Sequence, residues 1–564
     1  MLKFIQQNLN LFLYFFLSVF SILPFFSPGF FTVHDDTQVA RVFEMGKSLN
    51  DGMFPVRWVQ DLGYGYGYPI FNFYAPLPYY VGGFLTLIGF DSLVATKIIF
   101  ALALILSGVS MFVLVKEFFG KSPALVSSVV YLYFPYHAVN TYVRGDLAEL
   151  FAYAFLPLVF LSLFKIHYNS KISRFYLILG ALSIAAVVIS HNLSAFMLFI
   201  FIFLFIVLSL FTKKERKRLV FSYLFILLTA FLLSAFYSLP ALFEMKYTNV
   251  LSQVGGGSHY ADHFICPSQL WNSAWGFGGS APTCVDGMSF KLGKLNILLS
   301  IFAFGLFLIN FKKNKDKLFI ISFSLVSLLL SIFLTLEYSS IIWRLPFMDF
   351  LQFPWRFLNF TGLFISIVVG YLIWQGRQYL SNKISIALAS IIILLTLTYN
   401  AALFNPKTID DRDNSFYTNE TYLKWTVSGI SDEYLPKDFR RPESKNHLRE
   451  SSFDIISGRG ETRLINKKTQ EVKATASLET NGLVRANIAF FPAWEIRVDG
   501  KKAFYAARED GLYLNVPSGF HVLTAELKET LVERIGNALS LIGVLALLIV
   551  IIRKSDTFYG QKTS

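Results

Sequence analysis

Long apolar runs separated by short polar punctuation set the pattern of this chain. Read at the length a helix needs to cross about 30 Å of hydrocarbon, they fall at 9–27, 93–115, 122–138, 147–166, 174–190, 193–211, 218–240, 292–311, 317–336, 354–376, 384–404 and 532–552, about twelve spans. A further apolar stretch, "PLPYYVGGFLTLIGF" (76–90), is short and rich in Pro and Gly, and predicts an interfacial or re-entrant helix. The pattern changes after residue 405. Stretches such as "LVRANIAFFPAWEIRVDGK" and "GLYLNVPSGFHVLTAEL" alternate apolar and polar positions, with turn signals at Val498-Asp499-Gly500-Lys501 and Pro517-Ser518-Gly519. The expected fold is an α-helical polytopic membrane protein. Residues 1–404 form a multi-helix membrane domain, 405–531 a small external β-rich domain, and 532–564 a last span with a short cytoplasmic tail. The first run, Leu9 to Phe26, has no small-residue cleavage site behind it and predicts a retained span.

Composition agrees: of 564 residues, 54% are hydrophobic and 15% charged, which excludes a soluble enzyme with one large core. The net charge of +13 comes largely from short basic loops, "KEFFGK" (116–121), Lys165 to Arg174, "KKERKR" (213–218), "KKNKDK" (312–317), Arg377 with Lys383, and Arg553–Lys554. Such loops face the cytoplasm, so topology accounts for the charge without a nucleic-acid partner. Both termini are then expected inside. Segments 28–92, 139–146, 190–192, 241–291, 337–353 and 405–531 are expected outside. The two cysteines, Cys266 and Cys284, both lie in the 241–291 loop, where a disulfide suits an oxidising compartment.

This topology places four polar groups on one surface: His34-Asp35-Asp36 with Arg41, Arg57 and Asp61 further along; Arg144, Asp146 and Glu149 in "RGDLAE"; His191–Asn192; and Arg356 in "QFPWRF". Ionisable groups at membrane spans are costly and usually face a cavity or a partner. Arginines match phosphate geometry, and a carboxylate can take a proton from a hydroxyl. Each group also has a plainer reading. Asp35 with Gln38 resembles a capping box for an amphipathic helix over 37–50, which leaves Asp36 free to face a cavity. Arg144 and Glu149 can form an internal ion pair, His191 can serve as a turn residue, and Arg356 can snorkel to the interface. His259, His263 and Cys266 have zinc-compatible spacing if helical, in competition with the disulfide. A divalent ion, Mg²⁺ or Mn²⁺, suits Asp35–Asp36 better. "LGYGYGYP" (62–69) lacks the features of a phosphate loop and reads as an aromatic surface for a lipid chain or a sugar ring, or as an aromatic belt.

Taken together, a first span, an outer loop opening with paired acids, many further spans and an external C-terminal part resemble the GT-C superfamily of membrane glycosyltransferases. More narrowly, "HDDTQVAR", "YVRGDLAELFAYAFLPL", "SHNLSA", "FYSLPALFE" and "LQFPWRFL" are similar to membrane proteins labelled 6-pyruvoyl-tetrahydropterin synthase-related, and "FFPAWEIRVDGKK" with "VPSGFHVLTAEL" to the end of YfhO-type proteins. The label carries no pterin chemistry here, because the eight His are scattered and the two Cys share one loop. The resemblance implies transfer of a sugar from a polyprenyl-phosphate donor to an extracytoplasmic glycan or protein acceptor, usually with inversion. An acid of the first outer loop, Asp35 or Asp36, would act as base or metal ligand. His34, Arg57, Arg144, Asp146, Glu149, His191 and Arg356 are substrate-binding candidates by location. A flippase for lipid-linked glycans and a non-catalytic envelope-assembly protein are the competing expectations.

Overall fold

The computed structural model describes residues 2–255 and 258–552, with side chains from residue 9 onward; the expected tail with Arg553–Lys554 lies outside the described residues. Among the described residues, nine helices are long and apolar enough to cross a bilayer, the first Leu9–Phe26 and the last Leu531–Ile552. Two further apolar helices, Arg174–Ser190 and Lys294–Asn310, have 17 residues each. The remaining expected span, 122–138, is not continuous. Its helix Lys121–Leu132 stops after 12 residues, and Phe134 is extended ahead of Pro135. A proline disfavours helical geometry in the residue before it and lacks the N–H the ladder needs. The chain resumes as a short helix, Pro135–Ala138, and a π-helical turn, Val139–Arg144.

Helices Leu147–Tyr168 and Pro354–Tyr379 are nearly all buried and form the centre, while Asn382–Leu403 and Leu531–Ile552 are mostly exposed at the periphery. Exposed Phe203, Phe211, Leu394 and Ile552 are the surface a lipid would cover. Stretch 76–90 forms helix Pro76–Leu87, whose 12 residues are too few to cross a bilayer. It packs on helix Gln38–Asn50 through Gly82 and Gly83, where added Cβ atoms would meet Val42 and Met45 within 3.0 Å. Small residues let the two backbones approach this closely.

The β-rich part contains a four-stranded antiparallel sheet, in the order Phe453–Ser457, Gly482–Ala486, Gly511–Val516, Ala506–Arg508. A five-stranded one runs Gly460–Lys468, Glu471–Leu478, Gly519–Leu527, Trp494–Val498, Lys501–Lys502. The turn at Asp499-Gly500 is a hairpin with positive φ at both residues (50° and 76°), the geometry that matches strand twist. Pro517-Ser518 is a turn of a different kind: it carries the chain from one sheet to the other.

The first loop and the β-rich part are packed together. Thr469 donates to Asp51 Oδ2 from its N–H (2.7 Å) and hydroxyl (2.8 Å), and Trp58 meets Trp494 edge-on at 5.3 Å. "LGYGYGYP" lies within this contact. Tyr64, Tyr66 and Tyr68 are buried against Phe439 and Tyr434, so this stretch is an internal seam instead of an open aromatic surface.

Candidate active site

Two main-chain hydrogen bonds dock the start of the first loop onto the π-helical turn: His34 N–H to Val143 O (3.1 Å) and Asp35 N–H to Arg144 O (2.9 Å). Gly145 makes this possible. Its φ is +66°, and a Cβ there would lie 2.4 Å from Val33. The expected Asp35–Gln38 capping box does not form. Thr37 occupies the N-cap of helix Gln38–Asn50 without a side-chain capping bond. Gln38 is drawn away instead, donating to Gly145 O (2.9 Å) and accepting from the Tyr79 hydroxyl (2.6 Å).

That docking separates the two acids. Asp35 lines a cavity of about 580 Å³ together with His34, Arg144, Asp146, His191 and Arg356. Asp36 is not part of this lining. It turns toward the C-terminal segment, where the Tyr422 hydroxyl lies 3.5 Å from its carboxylate and Arg412 is its main charged neighbour. The local reading that freed Asp36 for the cavity is therefore reversed: the cavity acid is Asp35.

Part of the cavity wall belongs to a buried ionic network. Arg144 donates to Glu149 Oε2 (2.7 Å), Asp146 Oδ2 (2.7 Å) and Asn140 Oδ1 (2.6 Å), and its guanidinium stacks 4.7 Å from the Trp355 ring. Glu149 has no exposed surface; its other oxygen accepts from Tyr136 (3.0 Å), Asn140 (3.1 Å) and Asn359 (2.5 Å). Both terminal nitrogens of Arg144 are thus engaged. Arg356 is less committed. It donates to Leu351 O (3.0 Å) and Gln352 Oε1 (3.2 Å), and its Nε stands 3.7 Å from Glu149. That Nε and the Trp355 Nε1 are buried donors without a hydrogen-bond partner among the described residues. Burial of Arg356, at 7% exposure, removes the snorkelling reading.

His191 caps helix Asn192–Thr212: its Nδ1 accepts from the Ser194 N–H (3.1 Å). A neutral imidazole that accepts at Nδ1 carries its proton on Nε2, so the free side of this ring is a donor. Burial keeps the ring neutral by pulling its pKa down, against the opposing pull of Asp146 and Glu149. Asp35 is pushed up to about 6, first by burial and then by the Asp146 carboxylate, with Arg144 and Arg41 opposing.

Two other expectations change. Arg57 does not line the cavity; it donates to Asn72 Oδ1 (2.9 Å), Phe236 O (2.7 Å) and Asn537 Oδ1 (2.7 Å), tying the first loop to helices Arg216–Phe243 and Leu531–Ile552. Zinc at His259, His263 and Cys266 fails, because Cys266 is bonded to Cys284 and Tyr260–His263 is a 3-10 turn that does not place the two histidines one above the other. The outer loop 241–291, which carries the disulfide, supplies His263, Gly279, Ser280 and Met288 to the cavity wall. Replacing both cysteines with Ser is expected to cost about 3 kcal/mol, by the chain-entropy account for a loop of this size. A lower thermal unfolding temperature in detergent would show it.

For a metal, Asp35 and Asp36 point to different places and offer no shared site. Asp146, Glu149 and His191 bring one ligand atom each within 4.8 Å of one another, a chemically suitable set for a divalent ion. In this arrangement Arg144 already supplies the positive charge both carboxylates need, so a cation there would displace it from at least one of them.

Several cavity residues escape sequence reasoning: Ser431, Glu433 and Tyr434 from the C-terminal segment, and Trp355. Asn140 and Asn359, which hold Glu149, had a usable signal. Each stands three or four positions from an arginine, where side chains share a helix face.

A family model described as "6-pyruvoyl-tetrahydropterin synthase related domain; membrane protein" matches residues 71–256, which include Arg144 to Glu149 and His191 but neither Asp35 nor Arg356. This is the group the sequence motifs resemble. An "Uncharacterized protein" of Lactococcus lactis subsp. cremoris (strain MG1363) is 23% identical over 353 residues, 60% of this chain and 53% of that one; the chain thus matches about half the length of that relative. Among solved structures, the arabinofuranosyltransferase AftD from Mycobacteria is similar with a TM-score of 0.44 at 12% identity, over 71% of this chain and 27% of that one. The Archaeoglobus fulgidus oligosaccharyltransferase tethered with an acceptor peptide gives 0.45 at 11% identity, over 80% and 62%. At these scores the structural likenesses bear on neither substrate nor residues.

Proposed function

We propose that this protein is a membrane glycosyltransferase that moves a sugar from a polyprenyl-phosphate donor to an extracytoplasmic acceptor, with Asp35 as general base. The observation that carries this reading is one cavity gathering a carboxylate of raised pKa, Asp35, with donors from two other segments: Arg356 and Trp355, which keep buried N–H groups without a partner among the described residues, and His191, whose Nδ1 is engaged and whose Nε2 is the donor side. The cavity is taken to open on the extracytoplasmic face, opposite the basic loops.

In this mechanism an acceptor hydroxyl gives its proton to the Asp35 carboxylate as its oxygen attacks the anomeric carbon. The bond from that carbon to the phosphate oxygen breaks, and the lipid phosphate leaves with the electron pair. The growing phosphate charge is met by Arg356, by the Nε2–H of His191 and by the Trp355 N–H, donors already in place before reaction. Attack opposite the leaving group inverts the anomeric centre. Glu149 acts through others, as a positioning residue for Arg144 and Arg356.

The test is transfer from radiolabelled polyprenyl-phosphate sugars by the purified protein in lipid nanodiscs, with and without envelope glycan acceptors. Carrier translocation in vesicles without glycosyl transfer would replace this reading with a flippase. The base must be ionised to work, so the transfer rate is expected to rise with pH through about 6. A rate flat between pH 5 and 7 would remove Asp35 from that role.

A further inference from the structure

A second polar group lines the same cavity and differs in character from the first. Arg41, one turn into helix Gln38–Asn50, is 5% exposed; it donates from Nη2 to Ser431 Oγ (3.0 Å) and lies 4.4 Å over the Tyr74 ring. Its Nε has no hydrogen-bond partner among the described residues, nor does the hydroxyl of Thr37 one turn earlier. Ser431 in turn donates to Glu433 Oε1 (3.1 Å). Beside them the Tyr434 ring lies near-parallel to those of Tyr68 (5.9 Å, 8°) and Phe73 (6.0 Å, 7°).

The two groups have different chemistry. The unpartnered atoms of Arg356 and Trp355 and the Nε2–H of His191 are donors, and the neighbouring Asp146 and Glu149 carboxylates are already paired with Arg144, which leaves room for an anion. The Arg41 group links a cation to the Glu433 carboxylate through the Ser431 hydroxyl, offers donors and acceptors together, and carries aromatic rings. Such a set is matched to vicinal hydroxyls and the apolar faces of a sugar ring, and is poorly matched to a phosphate. Asp35 lines the same cavity as both groups.

We infer that Arg41, Ser431 and Glu433 form the subsite for a neutral sugar ring of the donor and set its specificity. This rests on the glycosyltransferase reading and extends it. Two of the three residues come from the segment leading into the β-rich part, so sugar choice would be written in a region separate from the membrane helices.

The experiment measures binding to the full-length detergent-purified protein of two probes: sugar-free polyprenyl phosphate, and the same lipid carrying one neutral pentose or hexose from a panel. The wild type is expected to bind at least one sugar-bearing lipid more tightly than the sugar-free one. Glu433→Gln and Arg41→Lys should each weaken that lipid by about tenfold, the scale of one hydrogen bond to a charged group. Their affinity for the sugar-free lipid should not change, which also shows that the variants are folded, and Glu433→Asp should restore part of the difference. Three outcomes overturn the subsite while leaving the proposed function standing: no sugar preference in the wild type, an unchanged preference in both variants, or equal weakening of both lipids. A preference for anionic sugars over all neutral ones overturns it as well. A wild type that binds no lipid phosphate would instead remove the glycosyltransferase reading itself.

Discussion

Asp35→Asn is expected to lower the sugar-transfer rate by about 10²–10⁴-fold, the usual contribution of a general base, while Asp36→Asn stays within a few-fold of wild type. The comparison is sharp because the two side chains are neighbours in sequence and differ only in where they face. Asp35 lines the cavity, and Asp36 faces Tyr422. Stability should move the other way. A carboxyl raised to about 6 in the folded protein binds protons more tightly than in the unfolded chain, where its pKa is about 4. The folded state therefore loses stability as pH rises through that window, and ionised Asp35 is a burden at neutral pH. Removing the charge with Asn should raise the unfolding temperature at pH 7 and leave it nearly unchanged at pH 4. A variant that loses both activity and stability at pH 7 would mean that Asp35 is a structural residue.

The second large effect is expected at Arg144. Arg144→Met keeps much of the side-chain volume but strands two buried carboxylates, Asp146 and Glu149, that now share one guanidinium. Breaking a buried pair from one side costs about 3–5 kcal/mol. The loss should appear as a much lower unfolding temperature and poor recovery from membranes. Glu149→Gln should be milder, since the amide oxygen can still accept from the asparagines while Arg144 keeps Asp146. If Arg144→Met were as stable as wild type, the network would not hold the 139–149 turn together. By contrast, Arg356→Lys should fold well and lose transfer activity, because Arg356 has fewer internal partners and an unsatisfied Nε.

Much of the fold is legible because bilayer crossing imposes a length and a composition on each helix. The interrupted span after Lys121 is the instructive exception. Its composition is apolar throughout, but Pro135 breaks the ladder and the residues beyond it curl into the turn that carries Arg144. The positions of Arg144, His191 and Arg356 could be read for the same reason: polar residues beside apolar runs must sit where the runs end. Which of two adjacent acids faces the cavity could not, since the decision is made by carbonyls more than a hundred residues away, at Val143 and Arg144. Arg57 misleads in the same manner, its partners being on helices Arg216–Phe243 and Leu531–Ile552. Ser431 and Glu433 carry no local mark at all; they join the cavity only because the tyrosines of the first loop pack against the segment that holds them.

The docking of His34 and Asp35 onto Val143 and Arg144 has a consequence for how the chain tolerates insertions and deletions. The two bonds that place the loop here come from the main chain, so they do not depend on which side chains stand at the two positions. Removing one residue ahead of His34, Thr32 for example, would slide the segment by one position and bring Asp36 onto the Arg144 carbonyl with its side chain toward the cavity. The doubled acid thus makes the site tolerant of a one-residue frame slip, because either frame presents a carboxylate at the same place.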